Sequence, residues 1–215
     1  MNNIEIINLW KQYDEKLEKS LSINQKIITM LQQQKAKKAL EPARNYNYAA
    51  IVIGLIYVVF VAYFIVYTNS FSSIFFKVSI AIHLLVSVAA IGLYIRQLVL
   101  IKEIDNSENV IQMQQKLASL QASILKIVGL CFLQLPVFST WNITFKMIEE
   151  NPFGFWLIQV PIVVLFTFAG IWLYKNIAIK NIDKKWFKIL FCGSEWKAVM
   201  RSGAFLREIE HFEKS

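Results

Sequence analysis

Ala49–Tyr67 reads AAIVIGLIYVVFVAYFIVY, nineteen residues without a charge. As a helix rising about 1.5 Å per residue it is roughly 28 Å long, close to the thickness of a bilayer's hydrocarbon core. Lipid offers no hydrogen-bond partner, and a helix satisfies its own backbone within one segment. The stretch therefore predicts a transmembrane helix and an integral membrane protein. Its tyrosines, Tyr63 and Tyr67 at one end and Tyr46 and Tyr48 near the other, suit the two interfaces of a bilayer. Ala50 and Gly54 offer a close-packing face.

Three more apolar blocks follow, giving spans at about 49–68, 74–95, 127–144 and 153–174. The chain is 56% hydrophobic with a mean hydropathy of +0.44, above the roughly 45–50% of soluble domains. The expected fold is all-α: an integral membrane four-transmembrane-helix bundle with cytoplasmic helical extensions. The expected organisation is an N-terminal helix over 1–42, a transmembrane domain over 46–175 containing a helical hairpin at 96–126, and a basic amphipathic tail over 176–215.

Charge sets the orientation. Eight Lys or Arg lie in 1–47, four in 95–126 and nine from 175 onward, while the opposite loops hold only Lys77 and Lys146. Cytoplasmic loops collect basic residues. Both termini and the middle connection are therefore expected in the cytoplasm, and the net charge of +8 reports topology, with no nucleic-acid partner expected. Residues 1–47 lack a short apolar core and a cleavage site, so the first span is expected to be the retained targeting signal. Cys131 and Cys192 have neither metal spacing nor a paired framework and are read as unpaired.

Two segments outside the spans carry heptads. Ile6, Trp10, Tyr13, Leu17, Ser20, Asn24, Ile27, Leu31 and Gln34 alternate steps of four and three. Leu21 and Ile28 widen the stripe, and Asn24 is a candidate register residue. Pro42 ends or kinks this helix. Val110, Met113, Leu117, Leu120, Ile124 and Ile127 repeat in the same way and run into the third span. Asp105 and Glu108 have capping-box spacing before them. This second seam needs a cover, and the 1–40 helix is the nearest supply. Trp10, Tyr13, Leu17, Asn24, Ile27, Leu31, Val110, Met113, Leu117, Leu120 and Ile124 are thus candidates for a partner or oligomer seam. In the tail, Lys184, Lys185, Trp186 and Lys188 mix basic and aromatic side chains in the manner of a lipid-headgroup contact. Trp196, Val199, Met200, Leu206, Ile209 and Phe212 give a last helix an apolar face interrupted by Gly203.

Polar groups inside spans are expensive and so are functional candidates. Ser79, His83 and Ser87 are four apart and share a helix face. His83 can carry a proton or bind a metal, but the one other histidine is His211 and no carboxylate lies in a span. A neutral histidine bonded to a neighbouring helix is the structural alternative. Gln134-Leu135-Pro136 and Gln159-Val160-Pro161 repeat Gln-x-Pro in successive spans. They are polar-path candidates or kinks bridged by hydrogen bonds. No nucleotide, zinc-protease, esterase or redox motif is present, and no cofactor is expected.

Leu9-Trp10-Lys11-Gln12-Tyr13-Asp14-Glu15-Lys16-Leu17, with Ser20-Leu21, Asn24 and Lys35-Ala36-Lys37, resembles the N-terminal segment of a group of small bacterial inner-membrane proteins, some associated with signalling or sigma-factor regulation. The resemblance covers that segment alone. It implies a bacterial inner membrane and a regulatory role, and assigns no activity to any residue. The leading expectation is a non-enzymatic membrane adaptor or regulator that binds the bilayer and a protein partner or second copy. A small oligomeric channel or transporter around the Ser79–His83–Ser87 face is the second, and a membrane enzyme the third.

Overall fold

The N-terminal helical run breaks at Leu40, two residues before Pro42. Without an N–H, Pro42 cannot continue the hydrogen-bond ladder. Leu40 N instead donates to Lys37 O (3.1 Å), and the ladder restarts with Arg44 N to Leu40 O (3.0 Å). The computed structural model describes residues 3–68, 73–107 and 109–214, with α1 at Asn3–Ala39 and α2 at Glu41–Thr68. α3 is Ile74–Asp105, α4 Val110–Phe132, α5 Leu135–Thr140, α6 Phe145–Glu150 and α7 Pro152–Gly154. A π-turn at Phe155–Gln159 leads into α8, Val160–Asn176. A 3-10 turn at Ile179–Asn181 then precedes α9, Lys185–Leu190, and α10, Ser194–Lys214. No strand occurs among the described residues.

Four helical runs are long and apolar enough to cross a membrane: Trp10–Tyr67, Ile74–Asp105, Val110–Thr140 and Pro152–Asn176. Side chains along the apolar parts of α2 and α8 are mostly exposed and those of α3 exposed or half-buried, as expected of surfaces whose solvent is lipid. The buried side chains gather instead at one end, here called the head. Ala36, Leu40 and Ala43 meet Ile101 and Ile104 of α3, Met113, Leu117, Leu120 and Ile124 of α4, Phe187 of α9, and Val199, Leu206 and Ile209 of α10. The α1–α2 junction, the α3–α4 hairpin and the C-terminal helices therefore share one end of the molecule. An even number of long apolar runs produces that arrangement.

Three sequence expectations change. Asp105 is the last residue of α3, not the cap of α4. Asn109 takes that role, its Oδ1 accepting from Ile111 N (2.8 Å), and Glu108 lies outside the described residues. Second, the 176–215 segment keeps its place among the helices outside the long apolar runs but gains defined partner helices. α10 packs along α1, α2 and α4, and its Gly203 lies against Leu117 of the α4 seam. Third, the cover of that seam is α3 and α10, not the long N-terminal helix, which joins the core only toward its end through Ala36.

The third span is broken where Pro136 sits. Pro136 removes the N–H that would bond the Phe132 carbonyl four residues back, and α4 ends there. α8 approaches this freed carbonyl at Gly170, where an added Cβ would stand 2.8 Å from Phe132 O. Only a residue without a side chain permits that approach. Gly170→Val is therefore expected to cost about 2 kcal/mol through forced separation of α8 from α4, read as a lowered melting temperature. Gly203→Ala meets only the flexible end of Leu117 at 3.3 Å and is expected to be nearly neutral in the same assay. In the fourth span, Val160 N donates to Phe155 O across the π-turn just before Pro161, so both Gln-x-Pro sequences mark irregular backbone.

Candidate functional site

His83 lies between α2 and α5. Its ring makes edge contacts with Tyr57 (5.5 Å between centroids) and Phe138 (5.0 Å), and Gln134 sits beside it. Tyr57, His83 and Phe138, with Ser79, Ile80, Val137 and Trp141, border a cavity of about 70 Å³. That is room for a few water molecules. Ser79 Oγ and Thr140 Oγ1 hydrogen-bond at 3.1 Å, which ties α3 to α5 one turn from His83. His83 Nδ1 is buried without a hydrogen-bond partner among the described residues, and a cavity water is the group that fits it.

The other polar candidates are dispersed. Ser87 Oγ donates to His83 O (2.9 Å) within its own helix and does not line the cavity. Gln134 precedes α5, whereas Gln159 Nε2 donates to Ser139 O and, at 3.3 Å, to Asn142 Oδ1 near the other end of that helix. The two glutamines serve separate junctions. No cluster of metal-ligating side chains occurs among the described residues. The Ser79–His83 face is turned toward α5 of the same chain. The cavity is bordered by one histidine and one hydroxyl among apolar and aromatic side chains, a set that can order water.

The two heptads have opposite fates. Met113, Leu117, Leu120 and Ile124 are buried in the head and Val110 packs against it, so the α4 seam is closed within the chain. On α1, Trp10, Tyr13, Leu17, Ile27 and Leu31 are exposed, as is Asn24. From α9, Lys184, Lys185 and Lys188 point to solvent, while Trp186 is half-buried beside Trp172 of α8 (5.4 Å). Phe187, between those lysines in sequence, is in the core and stacks on Phe191 at 4.3 Å. Cys131 and Cys192 are unpaired and exposed.

A further set was not singled out by sequence. Asn47 and Gln97 are fully buried, as is Ser202, and Ser123 nearly so. Asn47 Oδ1 and Nδ2, Gln97 Oε1 and Nε2, Ser123 Oγ, Ser202 Oγ and Glu195 Oε1 are buried without a hydrogen-bond partner among the described residues. Burial pushes the Glu195 carboxyl up to about 7. The available sequence signal was periodicity. Asn47 continues the buried face Ala36–Leu40–Ala43, Gln97 the face of Ile101 and Ile104, and Glu195 that of Val199, Ser202 and Leu206, in steps of three and four.

The chain matches no family model, no curated protein and no solved structure.

Proposed function

We propose that this is a membrane-embedded adaptor that acts by binding, and that the first two-thirds of α1 is its docking element, joining a second copy of the chain. The observation that carries this reading is the exposed stripe. Trp10, Tyr13 and Leu17 are 67%, 63% and 61% exposed, and α1 projects well beyond the head that buries its last turns. A lone helix in water draws little stability from propensity and needs a packed apolar face. Large exposed apolar patches mark interaction sites.

A second copy is the favoured occupant for two reasons. Copies held in one membrane with one orientation present identical α1 helices in parallel and in register, and confinement raises their effective concentration. Asn24 falls at the seam position where a buried asparagine selects parallel, in-register pairing. The excess of Lys and Arg on the head side supports a cytoplasmic head, N-terminus and C-terminus. The resemblance of the N-terminal segment supports a bacterial inner membrane and a regulatory role.

Leu17→Glu with Ile27→Glu is expected to reduce the native mass in lipid nanodiscs from two or more copies to one. The melting temperature should stay within about 2 °C, because neither side chain belongs to the buried core. A wild-type protein that already runs as a single copy would sink the proposal. So would a charged variant that stays assembled.

A further inference from the structure

We infer that Asn47, Gln97, Ser123 and Glu195 form a buried, oxygen-lined site for one monovalent cation, where α2, α3, α4 and α10 meet.

Helix register places the four side chains on one level. Gly54 lies against Ile91. Seven residues back along α2 is Asn47, and six on along the antiparallel α3 is Gln97, steps that agree to within one residue's rise of about 1.5 Å. Lys116 Nζ reaches Glu103 Oε2 at 3.6 Å. Seven residues on from Lys116, on the same flank of α4, is Ser123, and six back from Glu103 along α3 is Gln97, again level to within one residue's rise of about 1.5 Å. α10 runs antiparallel to the α1–α2 rod. Gln32 Nε2 donates to Glu208 Oε2 (2.7 Å) and Lys35 Nζ lies 6.0 Å from the Phe205 ring, a register that brings Asn47 level with the first turn of α10. The Gln121–Met200 contact (3.8 Å) sets Ser123 within a turn of the same level. Glu195 is in electrostatic reach of Tyr94, one turn before Gln97.

The chemistry of the set selects the ligand. Buried polar atoms in folded proteins have partners, and the side-chain amides of Asn47 and Gln97, Ser123 Oγ and Glu195 Oε1 have none among the described residues. Two amide oxygens, a hydroxyl and a carboxylate are hard donors suited to ions that prefer oxygen. One carboxylate balances one positive charge, whereas a divalent ion would leave a net charge buried at high cost. Sodium or potassium fits. A proton on Glu195 competes with it, because either neutralises the same carboxylate.

The test is thermal melting of the purified full-length protein at pH 8.5, above the raised range of the Glu195 carboxyl. Sodium, potassium and choline chloride are compared at equal ionic strength. Sodium or potassium is expected to raise the wild-type melting temperature by about 5 °C over choline. Glu195→Gln is expected to melt alike in all three salts. Equilibrium binding of radioactive sodium or rubidium should saturate at one ion per wild-type chain. Equal wild-type melting in the three salts with no saturable binding overturns the site, as does a cation-dependent rise that survives in Glu195→Gln.

Discussion

Truncating Leu120 to alanine is expected to cost about 4 kcal/mol of folding stability, while the same truncation at Leu17 costs less than about 0.5. Both leucines occupy seam positions of a heptad, and nothing in their local sequence distinguishes them. Leu120 is fully buried between α3 and α10. Its loss leaves a cavity in the head that the surrounding helices refill only in part, which puts the cost in the upper half of the usual Leu→Ala range. Leu17 touches nothing in the head. Thermal unfolding followed by tryptophan fluorescence measures both, because Trp196 is buried in that core and Trp186 packs against it. Native mass should respond in the opposite order, with Leu17→Ala weakening assembly. Equal losses of stability at the two sites would mean that the first half of α1 folds back onto the head.

That contrast shows where sequence is informative and where it stops. A charge-free run such as Ala49–Tyr67 has few physical solutions, so the apolar helices are visible from composition alone. The continuation of α3 beyond Arg96 to Asp105 is visible too, because its apolar period does not stop with the last span residue. Whether an amphipathic face meets its own chain or another is a tertiary property. Val110–Ile127 and Ile6–Gln34 present the same period, but the first is buried in the head along its seam, whereas the described part of the second is buried only where Gln32 meets Glu208 of α10. The docking of α10 was obscured by Ser202 and Gly203, which read as gaps in a hydropathy pattern. In the structure they are points of close helix approach, and Gly203 is where Leu117 fits.

The polar groups divide in the same way. Ser79 and His83 share a face by their spacing, and the structure brings both to one cavity. Ser87 shares the spacing, but its hydroxyl is satisfied by the preceding turn, which spacing cannot reveal. The proline of each Gln-x-Pro predicts a freed carbonyl. The group that approaches the one on Phe132 is Gly170, from a distant helix with no sequence mark beyond its small size. Asn47, Gln97 and Glu195 were hidden for the reverse reason, since a polar residue at an apolar period looks like an interruption of the face it completes.

Between pH 4.5 and 7 the wild-type protein in choline chloride is expected to lose about 3 kcal/mol of stability through Glu195 alone. The carboxyl ionises near 4.5 in the unfolded chain and at about 7 in the folded one. Within that window the folded protein holds a proton that the unfolded chain has released, so raising the pH favours unfolding. Stability is full below the lower value, falls through the window, and is flat once the folded carboxyl has ionised. The difference of about 2.5 pH units, at about 1.4 kcal/mol per unit, sets the size. Asp105 contributes with the same sign, since burial raises its carboxyl against the pull of Arg44 and Lys37. The measurement is therefore a difference between wild type and Glu195→Gln, melted at pH 4.5 and pH 8.5. Wild type is expected to fall about 6–10 °C further than the variant. Sodium or potassium should recover part of that fall at pH 8.5 in wild type only, because a bound cation and a bound proton relieve the same buried charge. Parallel pH profiles for the two proteins would mean that Glu195 is solvated, and that the first turn of α10 does not close over Asn47 and Gln97.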